Sequence, residues 1–256
     1  MTTPSTVTHP AAIQDGVALC TRYAFGPNRL HLCGPDMNHE VLAYLKAGIT
    51  DTGLTNIIAK FQTLYPYLQQ IASANHIKDP FDHRVVEAYW LGNKLLDAIP
   101  AKTFYRHLTN PLHLPRQSSH KAMDRLKNKL AQGALMHHSF HVLNIWRRTG
   151  HHDIEHTLDS LDQCIISWGQ VTAVAGPILT VTRQPLILHQ NKLALGAPIT
   201  QQIIRPFTAT STFDQIKDND IISLHWNTPC EIISAYQLTN LKKYTNWSLK
   251  LANQTI

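Results

Sequence analysis

From Asp36 to about Trp146, apolar residues return every three or four positions, the spacing of helices with one buried side. Asp36 stands where it can cap a segment running through Val41, Leu42 and Leu45 to a stop at Gly48. Asp51 opens a longer helix carrying Leu54, Ile57, Ile58, Phe61, Leu64 and Leu68. Asp79-Pro80 has the cap-then-proline order of a helix start; Val85, Val86, Tyr89, Trp90 and Leu96 form its buried stripe, and Pro100 ends it. Pro111 and Pro115 mark an irregular stretch. A basic amphipathic helix is expected from about Ser119 through Leu126, Leu130, Leu135 and Phe140 to Trp146, with Gly150 as its stop.

The period changes after about residue 160. Ile165–Val174, Ile178–Thr182, Leu186–Leu188, Leu193–Leu195 and Ile203–Phe207 are short β-type runs split by Gly, Pro and Asn. Ile221–Trp226 alternates, with Ile222, Leu224 and Trp226 on one face and Ile221, Ser223 and His225 on the other. So many short strands in succession suggest a small barrel rather than a βαβ sheet. Ser234 and Gln237 make a capping box for a last helix with Leu238, Leu241, Leu249 and Leu251 on its apolar side. The expected architecture is α+β, divided near residue 158: an all-helical domain over 1–158 with a His-rich end, then a small OB-like β-barrel with a C-terminal helix over 159–256.

With 256 residues, 43% hydrophobic and 16% charged, the chain is of globular composition, which excludes collagen-like, coiled-coil and fully disordered classes. No apolar run reaches bilayer length, so no membrane insertion is expected. The first residues, MTTPSTVTHPAAIQDG, have neither a basic nor an apolar signal region, and a cytoplasmic protein is expected. There the thiols of Cys20, Cys33, Cys164 and Cys230 are expected to stay reduced. A net charge of +6 permits an acidic partner or a nucleic acid and requires neither. There is no Gly-rich phosphate loop, no Gly-x-Ser-x-Gly elbow and no Cys-x-x-Cys, which counts against nucleotide hydrolysis, serine hydrolysis and zinc-finger roles.

Histidine is the unusual residue, with 16 copies. His137, His138, His141, His151, His152 and His156 fall within twenty residues, with Asp153 and Glu155 among them. His137 and His141, four apart, share a helix face as a two-histidine metal pair would, yet the Glu of a zinc-protease motif is missing. The plainer account of this cluster is a polar helix end. The segment Arg22–Asp36 crowds aromatics, two Arg, His31, Cys33 and turn formers together, as site-lining loops do; its Cys20, His31 and Cys33 follow no standard zinc spacing. His83 and Glu87, four apart, suit an acid–base pair or an ordinary exposed contact, with the contact favoured. Lys121, Arg125, Lys127, Lys129, Arg147 and Arg148 give the last helix of the first half a basic face, solvated by default, set against an acidic protein partner next, and against nucleic acid third.

The segment Cys164-Ile-Ile-Ser-Trp-Gly169-Gln170-Val171 resembles the opening of the small HypC/HupF hydrogenase-formation chaperones, and Asp218-Asn219-Asp220-Ile221-Ile222-Ser223-Leu224-His225 resembles their late strand. Asn219 stands where that family has Gly, a replacement a left-handed turn position accepts. The likeness covers roughly residues 162–254. Departures are an internal rather than N-terminal Cys164, Trp168 for the usual Pro, Asn227 and Pro229 after the His, and a longer interval between Cys164 and His225.

The resemblance implies an accessory protein of nickel–iron hydrogenase maturation. Cys164 and His225 would hold the iron fragment that bears cyanide and carbon monoxide, or dock the immature large subunit. Partners would be other maturation factors or the hydrogenase large subunit, met through Trp168, Trp226, Leu238 and Leu241. Cys33, His137, His141, His152 and His156 are further candidate ligands, and a thiol with imidazoles suits zinc or nickel as well as iron. Two other classes remain open: a metalloenzyme whose His-rich helical domain is catalytic and whose barrel recognises a client, and an oligonucleotide-binding barrel. For the last, Trp168 and Trp226 make a poor stacking platform, so nucleic acid ranks behind the others.

Overall fold

A computed structural model describes residues 15–110, 112, 119–145, 157–205 and 215–256. The chain folds as helices followed by strands and one last helix. The helical part comprises α1 (Gly16–Asn28), α2 (Asn38–Ala47), α3 (Thr52–Ile58), α4 (Leu64–Ala74), α5 (His83–Trp90), a 3-10 turn (Lys94–Ala98), α6 (Ala101–Thr109), α7 (His120–Ala131), a short turn α8 (His138–Phe140) running into a π-helical turn (His141–Ile145), and α9 (Leu158–Cys164). Strands β1 (Ser167–Ala175), β2 (Ile178–Arg183), β3 (Leu186–His189), β4 (Lys192–Leu195), β5 (Ile199–Ile204), β6 (Ile221–His225) and β7 (Thr228–Ile232) follow, then α10 (Ala235–Ala252).

Local chemistry explains several boundaries. Asp51 caps α3 through Leu54 N, Gly48 ends α2 in the left-handed region, and the Ser234–Gln237 capping box opens α10, all as the sequence predicts. Other expectations need correction. Asp36 does not cap α2; Met37 precedes it without a side-chain hydrogen bond. The helix opened by Asp51 stops at Ile58 and a separate α4 carries Leu64 and Leu68. Asp82, not Asp79, caps α5. The basic helix ends at Ala131, where Gly133 turns the chain at φ 89°, so the segment through Phe140 is not continuous with it. Residues 22–28, expected in a loop, form the second half of α1, with Pro27 tolerated in its last turn. Pro111, Pro115, Trp146–Gly150, His151, His152, Asp153, Glu155, His156 and Phe207 lie outside the described residues.

Five strands pair antiparallel in the order β5-β2-β1-β6-β7, and β3-β4 form a separate hairpin. Among the described residues the sheet does not close; β5 and β7 approach each other as edges without a ladder between them. Its apolar face is filled by helices instead. Phe25, Val41 and Ile57 from α1, α2 and α3 pack on Val171, Leu179, Val181, Ile203, Ile222 and Leu224. Gly169 on β1 serves this sheet directly, because a Cβ there would lie 2.3 Å from the Val181 side chain. Asn219 takes φ 74° in the turn into β6, the left-handed position expected of it.

The largest core crosses residue 158. Leu19 and Tyr23 of α1, Val85 and Tyr89 of α5 and Phe104 of α6 share it with Ile166, Cys230, Ile233, Leu241, Tyr244 and Leu251. Each fully buried large side chain contributes roughly 1.5–3 kcal/mol of hydrophobic stabilisation. The helical and β-rich segments therefore hold each other in place, and the candidate site lies where they meet.

Candidate metal centre

Cys164, just ahead of the run Ile165–Val174 expected as a strand, is the last residue of α9, and the strand itself starts at Ser167. Thr157 caps the helix through Ser160 N, and Asp162 anchors it. The Asp162 carboxylate accepts from both Arg183 terminal nitrogens (3.0 and 2.5 Å) and from Leu186 N at 2.6 Å, so the buried acid is fully paired. The helix end then touches the β6–β7 turn, where Trp226 N donates to the Gln163 carbonyl at 2.8 Å. That bond sets Cys164 beside the end of β6.

His225 closes β6, and Trp226 and Asn227 make the tight turn to β7 with φ 50° and 53°. Trp226 thus sits in a turn rather than on the strand face it was expected to share with Ile222 and Leu224. The His225 Nδ1–H donates to the Tyr23 carbonyl of α1 at 2.7 Å, which leaves Nε2 as a lone pair, buried and without a hydrogen bond. Helix α1 comes this close because position 26 is glycine; a Cβ there would stand 2.5 Å from the His225 carbonyl oxygen.

His138 supplies the third donor. Its Nε2–H donates to the Cys164 carbonyl at 2.9 Å, and Nδ1 keeps a lone pair toward the Tyr89 hydroxyl at 3.2 Å. One ligand atom each from His138, Cys164 and His225 lie within 4.8 Å of one another. The imidazoles meet edge to face with centroids 5.1 Å apart, and Trp90 walls both, its centroid 4.5 Å from that of His138 and 5.5 Å from that of His225. Burial drives His225 down to about 4 against the opposing carbonyls of Tyr23 and Cys164. Burial, then His225, lowers His138 well below the ordinary range. Both rings are neutral near pH 7, the form that binds a metal. A tetrahedral ion with bonds of about 2.0–2.3 Å needs its ligand atoms about 3.3–3.6 Å apart, a spacing within the 4.8 Å bound on this group.

A cavity of about 50 Å³ adjoins the three donors. Ala24, Pro27, Phe61, Leu64, Trp90 and Val142 give it a largely apolar wall, and Cys33, Thr63 and His141 also line it. The arrangement can hold one borderline ion, with the His225 ring fixed by the Tyr23 carbonyl and the His138 ring by the Cys164 carbonyl and the Tyr89 hydroxyl.

The other sequence candidates are placed differently. His137 is buried, but its Nδ1 accepts from Ser139 N to cap α8 and its ring stacks on Tyr244, so it serves the fold. His141 meets the Tyr67 hydroxyl through Nδ1 at 3.1 Å and faces the cavity without joining the donor group. Cys33 lies half-buried on the cavity wall. Trp226 and Leu241 are buried inside the molecule; Trp168 and Leu238 are half-buried, and Lys242 lies over the Trp168 ring. Glu87 accepts from Asn93 and Gln237 while His83 faces Asp82, so those two form no pair. His138 stood in the His-rich run with nothing in its spacing to set it above its neighbours.

The molecule is thus a mixed helix–sheet protein in which the half-buried Cys164 meets the buried His138 and His225. The chain belongs to the family described as "Family of unknown function (DUF6390)", whose model matches residues 12–256. No curated protein and no solved structure matches it. No helix among the described residues is long and apolar enough to cross a membrane.

Proposed function

We propose that this protein is an accessory factor of nickel–iron hydrogenase maturation that carries a metal, with the iron fragment as cargo. Cys164 and His225 hold it, joined by His138. The observation that carries this reading is the convergence of those donors. Resemblance to the HypC/HupF chaperones alone singles out Cys164 and His225, and the two lie in one group with a third donor beside a cavity. The curled five-stranded sheet followed by α10 is read as the counterpart of that family's small barrel and helix. The working place is the cytoplasm, and the partners are maturation factors or the immature large subunit.

The mechanism is ligation and release. The Cys164 thiol gives its proton to solvent as its sulfur binds, the Tyr23 and Cys164 carbonyls keep the two imidazoles turned toward the ion, and Trp90, Phe61 and Leu64 exclude water. The test is an infrared spectrum with iron analysis of protein purified without oxygen from cells expressing the maturation machinery. Iron with cyanide and carbon monoxide bands, lost in Cys164→Ala, is expected. Iron-free protein from active cells overturns the cargo reading. Because His138 comes from the helical segment, a second reading is a metalloenzyme with a resident zinc; stoichiometric zinc, lost in Cys164→Ala, would favour it.

A further inference from the structure

Three protein donors leave a fourth position on a tetrahedral ion, and the cavity wall bears a second thiol. Two buried polar atoms of that wall, His225 Nε2 and Thr63 Oγ1, make no hydrogen bond, so the cavity is lined for an occupant it can bond. Tyr89, Cys33 and Cys164 share that cavity wall. The Tyr89 hydroxyl also meets His138 Nδ1.

The backbone around Cys33 is fixed. Asn28, itself buried, donates through Nδ2 to the carbonyls of Cys33 (3.0 Å) and Pro35 (2.8 Å). Gly34 follows at φ 85°, where a Cβ would strike the Phe61 ring. A change of staggered χ1 rotamer carries a cysteine sulfur about 3 Å without moving this backbone.

Resting on the metal-carrier reading, we propose that Cys33 is the fourth ligand, completing a two-thiolate, two-imidazole set. It is also the exchange ligand. Cys164 and the two imidazoles already lie within 4.8 Å of one another, whereas Cys33 stands on the cavity wall outside that group and has to move in to bind. On loading, its proton goes to solvent and its sulfur gives an electron pair to the ion. On delivery that bond breaks first, a donor of the acceptor protein takes the vacant position, and the thiol regains a proton from water.

Anaerobic titration of the full chain with Co²⁺ tests this, because sulfur-to-cobalt charge-transfer absorption scales with the number of bound thiolates. Wild type is expected to show two. Cys33→Ser is expected to keep the ion with about half the intensity and at least tenfold weaker binding. Undiminished intensity in Cys33→Ser, with loss in Cys164→Ser, overturns the role of Cys33 and leaves the three-donor site standing. A cobalt spectrum untouched by Cys164→Ser overturns the carrier reading itself, and this inference with it. Should Cys33→Ser fail to fold, alkylation of wild type decides: protection of Cys33 by Co²⁺ supports the assignment, and equal labelling with and without the ion overturns it.

Discussion

Glu231 on β7 is a carboxyl placed where water does not reach. Tyr23 donates to it at 2.5 Å and also lies 2.9 Å from Ser223 Oγ. Burial raises its pKa to about 7, against the lowering pull of Tyr23 and Arg22. The folded value lies above the unfolded one, so the folded chain keeps a proton that the unfolded chain has released. Stability from this group is complete below about 4.5 and is lost as the pH rises to about 7. Urea unfolding at pH 5 and pH 8 should show wild type losing on the order of 2 kcal/mol from this source, a loss absent in Glu231→Gln. Equal pH dependence in the two proteins would mean that the carboxyl titrates as if exposed. His107 acts with the opposite sign. Burial, then His141, lowers it to about 3, so its contribution is present above 6.5 and lost as the pH falls toward 3.

Between elements, the decisive contact is α1 on the end of β6. In Gly26→Ala the added methyl would meet the His225 carbonyl, at a cost of about 1–3 kcal/mol. Since His225 is held by the Tyr23 carbonyl of that helix, the same change should weaken Co²⁺ binding. Ser234→Ala, which removes the α10 capping box, should cost about 1 kcal/mol and leave Co²⁺ affinity unchanged. Equal affinity in both variants would separate α1 from the site. Neither α1 nor β7 was legible in the chain. Phe25-Gly26-Pro27-Asn28 reads as a turn, because its glycine and proline signal breaks when no neighbour is known. Pro229 hid β7, which tolerates a proline as an edge strand. The strands β1, β2 and β6 and the cap of α10 were legible because alternation and capping are local. Cys164 and His225 came from resemblance, and His138 from nothing local: what distinguishes it from His137 and His141 is the break after Ala131, which aims each ring at a different neighbour.

At the scale of the molecule, a core shared across residue 158 predicts one cooperative transition. Urea unfolding followed by tryptophan fluorescence and by far-ultraviolet circular dichroism should give coincident curves; two separated transitions would mean that the segments fold independently. Co²⁺ should shift the whole curve to higher urea, as a ligand of the folded state alone does. The three donors also stand far apart in chain order, and His225 comes last. Synthesis from the N-terminus presents His138 and Cys164 long before β6 exists. A nascent chain accordingly displays Cys20, Cys33 and Cys164 with a scatter of imidazoles, and not yet the assembled chelate. Loading becomes a post-translational event, and whichever ion waits nearest the ribosome gains no advantage from being first.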